Sequence, residues 1–310
     1  MRQQDWQGVF PAVTTPFNPD LSVNYAALRR HVSWLLDCGC RGLILLGSLG
    51  EGPTLTLPEK IEMLRQCKDQ IGYRAPLVAG VSGLSTAEAV QLAQAAAAAG
   101  CDALMVLPQF VYRGDWRETE THLSAVFSAT PLPCMLYNTP VSYNIDATPP
   151  QIVALAKHPN LCAVKESSGD IRRIAAIREL LGERVAIFAG LDDTVLESVA
   201  AGAVGWVAGL ANALPVESVR LFDLARAGNS VEAWRLYQWF LPLLRIDVVP
   251  KFVQLIKLVQ SEIGCGSAVV RGPRLELTES EREGVLHLVR ERLAQRPANL
   301  VASHRTAQSL

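Results

Sequence analysis

The sequence predicts an α/β fold, a (β/α)₈ TIM barrel followed by a C-terminal helical appendage. Eight short apolar runs alternate with segments that carry helix signals. Parallel strands need such helical crossovers, and eight βα units in one sheet close on themselves. A length of 310 residues suits one barrel with an extra piece. A doubly wound open sheet is the alternative. It would carry a glycine-rich dinucleotide turn after the first strand, where Thr14-Thr-Pro-Phe stands instead.

The strands are expected at Val9–Thr14, Gly42–Leu46, Leu77–Gly80, Ala103–Leu107, Cys134–Tyr137, Leu161–Lys165, Val185–Ala189 and Val204–Ala208. Thr56-Leu-Pro-Glu59 and Ser85-Thr-Ala-Glu88 have the capping-box spacing that starts a helix. Gly39, Gly100 and Gly182 fall where helices should stop, because glycine enters the left-handed cap without strain. After the eighth unit the pattern turns purely helical, at Ser230–Leu244, Val249–Ile263 and Glu279–Gln295. The expected division is therefore a barrel over residues 1–224, a helical domain over 225–296 and a disordered tail over 297–310.

Composition narrows the function. A net charge of −1 leaves no electrostatic footprint for nucleic acid. The charge-free stretch Ser198–Val216 is rich in Gly and Ala and ends at a proline, so it reads as a buried strand rather than a membrane span. Cys134 and Cys162 lie inside apolar runs, and no Cys/His cluster has zinc spacing. With no apolar core in Met-Arg-Gln-Gln-Asp-Trp at the start, a cytoplasmic enzyme without metal is expected.

The most informative residue is Lys165, at the end of the apolar run Leu161-Cys-Ala-Val-Lys165. An ammonium in apolar surroundings costs several kcal/mol or gives up its proton. The neutral amine is the form that attacks a ketone to make a Schiff base. Lys60, Lys68 and Lys157 lie in polar-striped helices and Lys251 and Lys257 in an amphipathic stretch, so Lys165 alone interrupts a strand. A lysine that snorkels out or pairs with Glu166 is the competing reading.

Barrel active sites lie at the C-terminal ends of the strands. Those positions hold Thr14 and Thr15, Gly47-Ser-Leu-Gly-Glu51, Pro108 to Tyr112, Tyr137-Asn-Thr-Pro140, Lys165, Gly190-Leu-Asp-Asp193 and Gly209. Tyr137 stands one strand before Lys165, close enough to exchange protons with a carbinolamine formed there. The glycines around Ser48 and Leu49 let backbone N–H groups approach a carboxylate. Asp192 and Asp193 suit either hydrogen bonds to distal hydroxyls or caps on the following helix. Glu51 and Glu166 are expected to be structural.

Gly47-Ser-Leu-Gly-Glu51, Tyr137-Asn-Thr-Pro140 and Lys165-Glu-Ser-Ser-Gly-Asp170, in this order and spacing, resemble the dihydrodipicolinate synthase / N-acetylneuraminate lyase family. The resemblance covers about residues 8–295. It implies a lysine Schiff base with pyruvate or another 2-oxo acid, no cofactor, and a homotetramer built as a dimer of dimers. It makes Lys165 the Schiff-base lysine, Tyr137 the proton-transfer tyrosine, and Ser48 with the Leu49 backbone the carboxylate holder, with Ser48 also continuing the proton relay; Gly47 is a further substrate-binding candidate. Ser167, Gly190, Asp192, Asp193 and Gly209 are the further substrate-binding candidates.

The departures shape the substrate. Ser48 and Leu49 replace the two threonines of the synthases, and Ser142 stands where they place an arginine for the semialdehyde carboxylate. Phe110 falls at the place of the subunit-crossing tyrosine, or Tyr112 does if the loop is one residue longer, and Gly209 replaces a serine of the lyases. The reading is cleavage or dehydration of a 2-oxo acid with an uncharged distal half, such as a 2-keto-3-deoxy sugar acid or a 4-hydroxy-2-oxo acid. Synthase activity, with an arginine such as Arg113 standing in, is the alternative. A catalytically silent sugar-acid-binding barrel is the alternative of another class.

Overall fold

The computed structural model describes residue 1 and residues 3–297; most of the expected tail, from 298 on, lies outside the described residues. The strands are β1 (Gly8–Pro11), β2 (Leu43–Leu45), β3 (Leu77–Val81), β4 (Ala103–Val106), β5 (Cys134–Asn138), β6 (Leu161–Glu166), β7 (Ala186–Ala189) and β8 (Gly205–Ala208). All pair in parallel, in the order β1-β8-β7-β6-β5-β4-β3-β2. The ring closes through one parallel bridge, Ala12 with Ile44, and a 2.8 Å bond from the Val13 N–H to the Ile44 carbonyl. All eight expected strands are present, with shifted ends. The first stops at Pro11, because Thr14 donates its N–H to the Asn212 side chain rather than to a neighbouring strand.

The crossover helices are α1 (Tyr25–Asp37), α2 (Leu57–Ile71), α3 (Thr86–Ala98), α4 (Trp116–Ser128), the one-turn α5 (Pro140–Tyr143), α6 (Pro149–Leu155), α7 (Arg172–Leu181), α8 (Val195–Ala200) and α9 (Pro215–Arg226). Thr56 and Glu59 complete the capping box of α2. At α3 only half forms: Ser85 accepts from the Glu88 N–H, but the Glu88 carboxylate takes the N–H of Leu84. Ser198–Val216 folds into β8 between pieces of α8 and α9, and among the described residues no helix is long and apolar enough to cross a membrane.

With helices outside, the strands are buried on both faces and read as continuous apolar runs. The barrel floor is an aromatic plug in which Phe10 and Phe188 meet edge to face at 5.2 Å and Trp6 packs on both. Gly42 and Gly205 make room for it: a Cβ on either would lie 2.4 Å from Phe10 or 2.2 Å from Phe188. The opposite mouth carries the polar residues. Beyond α9 the chain adds α10 (Ser230–Leu244), α11 (Phe252–Glu262) and α12 (Glu279–Ala294), and α12 packs on both of the others.

Candidate active site

β5 and β6 put Tyr137 beside Lys165, paired in register at the mouth of the barrel. The Lys165 amine lies 4.0 Å from the centre of the Tyr137 ring, and the two residues are 6% and 8% exposed. Among the described residues the amine has no ion-pair or hydrogen-bond partner. Glu166 does not pair with it: its carboxylate accepts from Asn138 Nδ2 at 3.0 Å and the Ser168 N–H at 2.6 Å. Burial pushes the Glu166 carboxyl up against those bonds.

Gly47, Ser48 and Leu49 stand in a turn bracketed by two residues in the left-handed region, Leu46 at φ +65° and Glu51 at φ +55°. Such conformations in non-glycine residues persist only when the surroundings hold them. Gly50 and Gly52 allow the fold: a Cβ would lie 2.8 Å from the Val13 carbonyl or 2.1 Å from that of Leu46. Glu51 is fully buried and pairs with Lys257 Nζ at 2.8 Å, while its other oxygen accepts from the Arg271 N–H at 3.0 Å. Lys257 is 1% exposed and also donates to the Thr15 carbonyl at 2.8 Å. Lys165 is therefore not the one buried lysine, as the strand pattern suggested. Lys257 sits on the buried face of α11, which an amphipathic reading takes for a surface.

The segment after β5 supplies a residue missed in the sequence. Tyr143 ends α5, and its hydroxyl hydrogen-bonds the Ser48 hydroxyl. Its ring stands edge-on to Tyr137, 6.4 Å between centres, and tilted against Phe110 at 5.9 Å. Burial, then the nearby Tyr137, pushes the Tyr143 phenol up to about 12. Asn138 anchors this segment by accepting the Ala147 N–H at 2.9 Å. Ser142 is exposed, and its hydroxyl accepts from Thr139. Tyr112 is 56% exposed and donates to Glu118 at 3.0 Å. Arg113 is exposed, whereas Arg274 lies near enough to oppose the rise at Tyr143 and stands 3.9 Å from Glu51.

On the other side, the buried Ser167 hydroxyl has no hydrogen-bond partner among the described residues. A Cβ on Gly190 would lie 1.8 Å from it, so glycine is required there. Asp192 is fully buried, and its carboxylate accepts from Trp206 Nε1 at 2.9 Å, the Gly209 N–H at 3.1 Å and the Leu210 N–H at 2.7 Å. Those bonds tie β7 to β8 and leave little for a substrate hydroxyl. Burial pushes Asp192 up to about 6 against the hydrogen bonds and the Lys165 charge. The Asp193 carbonyl accepts from the Tyr237 hydroxyl. The turn after α10 brings in a second missed residue, Asp247, whose carboxyl lies against Gly209. Among the described residues, no group of three or more His, Cys, Asp or Glu side chains is placed to hold a metal ion.

Residues 5–292 match the Dihydrodipicolinate synthetase family. The chain is 30% identical over 290 residues to a 4-hydroxy-tetrahydrodipicolinate synthase of Desulforamulus reducens, covering 93% of this chain and 98% of that one. Among solved structures it is similar to the 4-hydroxy-tetrahydrodipicolinate synthase of Methylacidiphilum fumariolicum SolV, with 28% identity, a TM-score of 0.88 and coverage of 93% and 97%. It is also similar to a prophage protein of the dihydrodipicolinic acid synthase family from E. coli K12, solved with pyruvate, at 25% identity, TM-score 0.87 and coverage of 92% and 98%. The chain belongs to the dihydrodipicolinate synthetase family and is an enzyme of the class I aldolase type.

Proposed function

We propose that Lys165 forms a Schiff base with pyruvate or a pyruvate-derived 2-oxo acid, with Tyr137 as general acid and base. The observation that carries this is the unpaired Lys165 amine against the Tyr137 ring. The amine attacks the 2-oxo carbon, water leaves, and an iminium results. In cleavage, the C3–C4 pair moves toward the iminium nitrogen as Tyr137 takes the C4 hydroxyl proton. The enamine then takes a proton at C3, and hydrolysis frees pyruvate. In condensation the enamine instead attacks an aldehyde. Ser48 and the N–H groups of the turn at Gly47 and Leu49 hold the carboxylate, and Tyr143 carries the proton on from Ser48.

Two readings of the second substrate rest on different observations. The relatives' name favours condensation of pyruvate with aspartate semialdehyde, over the cleavage or dehydration expected from the sequence. Arg274, near Tyr143, is a cation that such a substrate's carboxylate would use. The residues around the amine favour an uncharged distal half, because Ser142 replaces the arginine and an acid, Asp247, faces Gly209. A panel assay separates them, setting pyruvate release from 4-hydroxy-2-oxo acids against condensation of pyruvate with the semialdehyde. Efficient condensation alone establishes the synthase. Lack of a borohydride-trapped pyruvate adduct on Lys165 overturns the Schiff-base reading itself.

The proposed assembly is the homotetramer that the family resemblance implies. Val111 and Tyr112, 57% and 56% exposed, lie after β4 where that assembly has a subunit contact. Light scattering of the purified chain tests it. Seven free cysteines fit the cytoplasmic location that we also propose.

A further inference from the structure

The position where the sequence lacks a side chain is filled from elsewhere in the fold. A Cβ on Gly209 would lie 2.0 Å from Asp247 Oδ1 and 3.1 Å from the Ile256 side chain. The Asp247 carboxyl thus occupies the space that a residue at 209 would use. It arrives on the turn after α10, while Gly209 ends β8. Asp247 is half-buried and has no hydrogen-bond partner among the described residues. The charged groups acting on it are Asp192, Lys165 and Asp193, which places it in the electrostatic surroundings of the Lys165 amine. Asp192 is committed to Trp206, Gly209 and Leu210, whereas the Asp247 carboxyl is not committed to a hydrogen bond among the described residues.

We propose that Asp247 is a specificity-determining residue for the distal half of the substrate, and that it selects a hydroxyl rather than a carboxylate on the carbons beyond C4. A carboxyl can accept a bond from a hydroxyl, or donate one when protonated, and both forms fit a neutral polar group. A second carboxylate beside Asp247 and Asp192 would be disfavoured by like charge. Burial and the Asp192 carboxylate both push the Asp247 carboxyl upward. This inference rests on the Schiff-base reading and deepens it, by naming the substrate class.

The test compares pyruvate release from 2-keto-3-deoxygluconate, which has hydroxyls beyond C4, with release from 4-hydroxy-2-oxopentanoate, which has a methyl there. The readout is the ratio of the two kcat/KM values. The unaltered enzyme should favour the hydroxylated substrate, Asp247→Ala should lower the ratio by about 10–100-fold, and Asp247→Asn should restore part of it. A ratio unchanged in Asp247→Ala overturns the proposal. So does an unaltered enzyme that releases pyruvate from neither substrate yet condenses it with aspartate semialdehyde. Borohydride trapping of pyruvate on Lys165 is run on every variant. An adduct in Asp247→Ala shows that the barrel stands, and an adduct lost only in that variant counts against a role limited to specificity. An adduct missing in the unaltered enzyme overturns the Schiff-base reading together with this one.

Discussion

The hydroxyls of Ser48 and Tyr143 are hydrogen-bonded to each other within one subunit, from the segments that follow β2 and β5. The Tyr143 hydroxyl thus reaches Ser48 within one chain, from the segment that follows Tyr137. Phe110 has no hydroxyl and packs on the Tyr143 ring.

That pairing predicts a kinetic signature. Tyr143→Phe keeps the ring against Phe110 and Tyr137 but removes the link to Ser48. Turnover should fall by about 10–100-fold, toward the lower part of the range for general acid–base groups, with little change in KM for pyruvate. Steady-state kinetics on the purified variant check it, and an unchanged kcat would make Tyr143 a packing residue.

At the catalytic pair, Lys165→Ala should abolish both turnover and the borohydride-trapped pyruvate adduct. Tyr137→Phe should lower kcat by about 10²–10⁴-fold while the adduct still forms, more slowly. Mass spectrometry of the peptide carrying residue 165 gives the adduct yield directly.

The buried Glu51–Lys257 pair predicts a stability effect. Lys257→Met leaves the Glu51 carboxylate without its cation, and removing one partner of a buried pair costs about 3–5 kcal/mol. Urea titration should show that loss as a lower midpoint. Adding Glu51→Gln should recover part of it, since the uncompensated charge is then gone.

His31 predicts acid sensitivity. Burial lowers its imidazole from 6.5 to about 4, against a hydrogen bond to Asn212. The unfolded chain then takes a proton near 6.5 that the folded chain refuses until about 4. Stability is therefore present above pH 6.5 and falls as pH drops toward 4, by about 2–3 kcal/mol from this group. Asp192, raised to about 6, acts in the opposite sense, losing stability as pH rises through that range. Urea midpoints at pH 7 and 4.5 should fall less with acid in His31→Gln than in the unaltered protein.

What was legible in the sequence is what local chemistry determines. The run before Lys165 reads as a strand because its neighbours are apolar on both faces, and Tyr137 follows from strand adjacency. Asp247 and Lys257 were not legible as parts of the site, because they reach the mouth only through the packing of the C-terminal helices on the barrel. Tyr143 was not legible as part of the site, because spacing cannot show that α5 turns it toward Ser48. Ser142 weighed against the synthase in the sequence, and the comparisons lean the other way.

The partners of Glu51 also set an order of events during synthesis. Lys257 and the Arg271 amide are made more than two hundred residues after Glu51. A nascent chain that has released all eight strands still lacks the cation and the N–H that hold Glu51 in its left-handed turn. The turn beside it, Gly47 to Leu49, therefore gains this support only once the segment carrying Lys257 and Arg271 has left the ribosome.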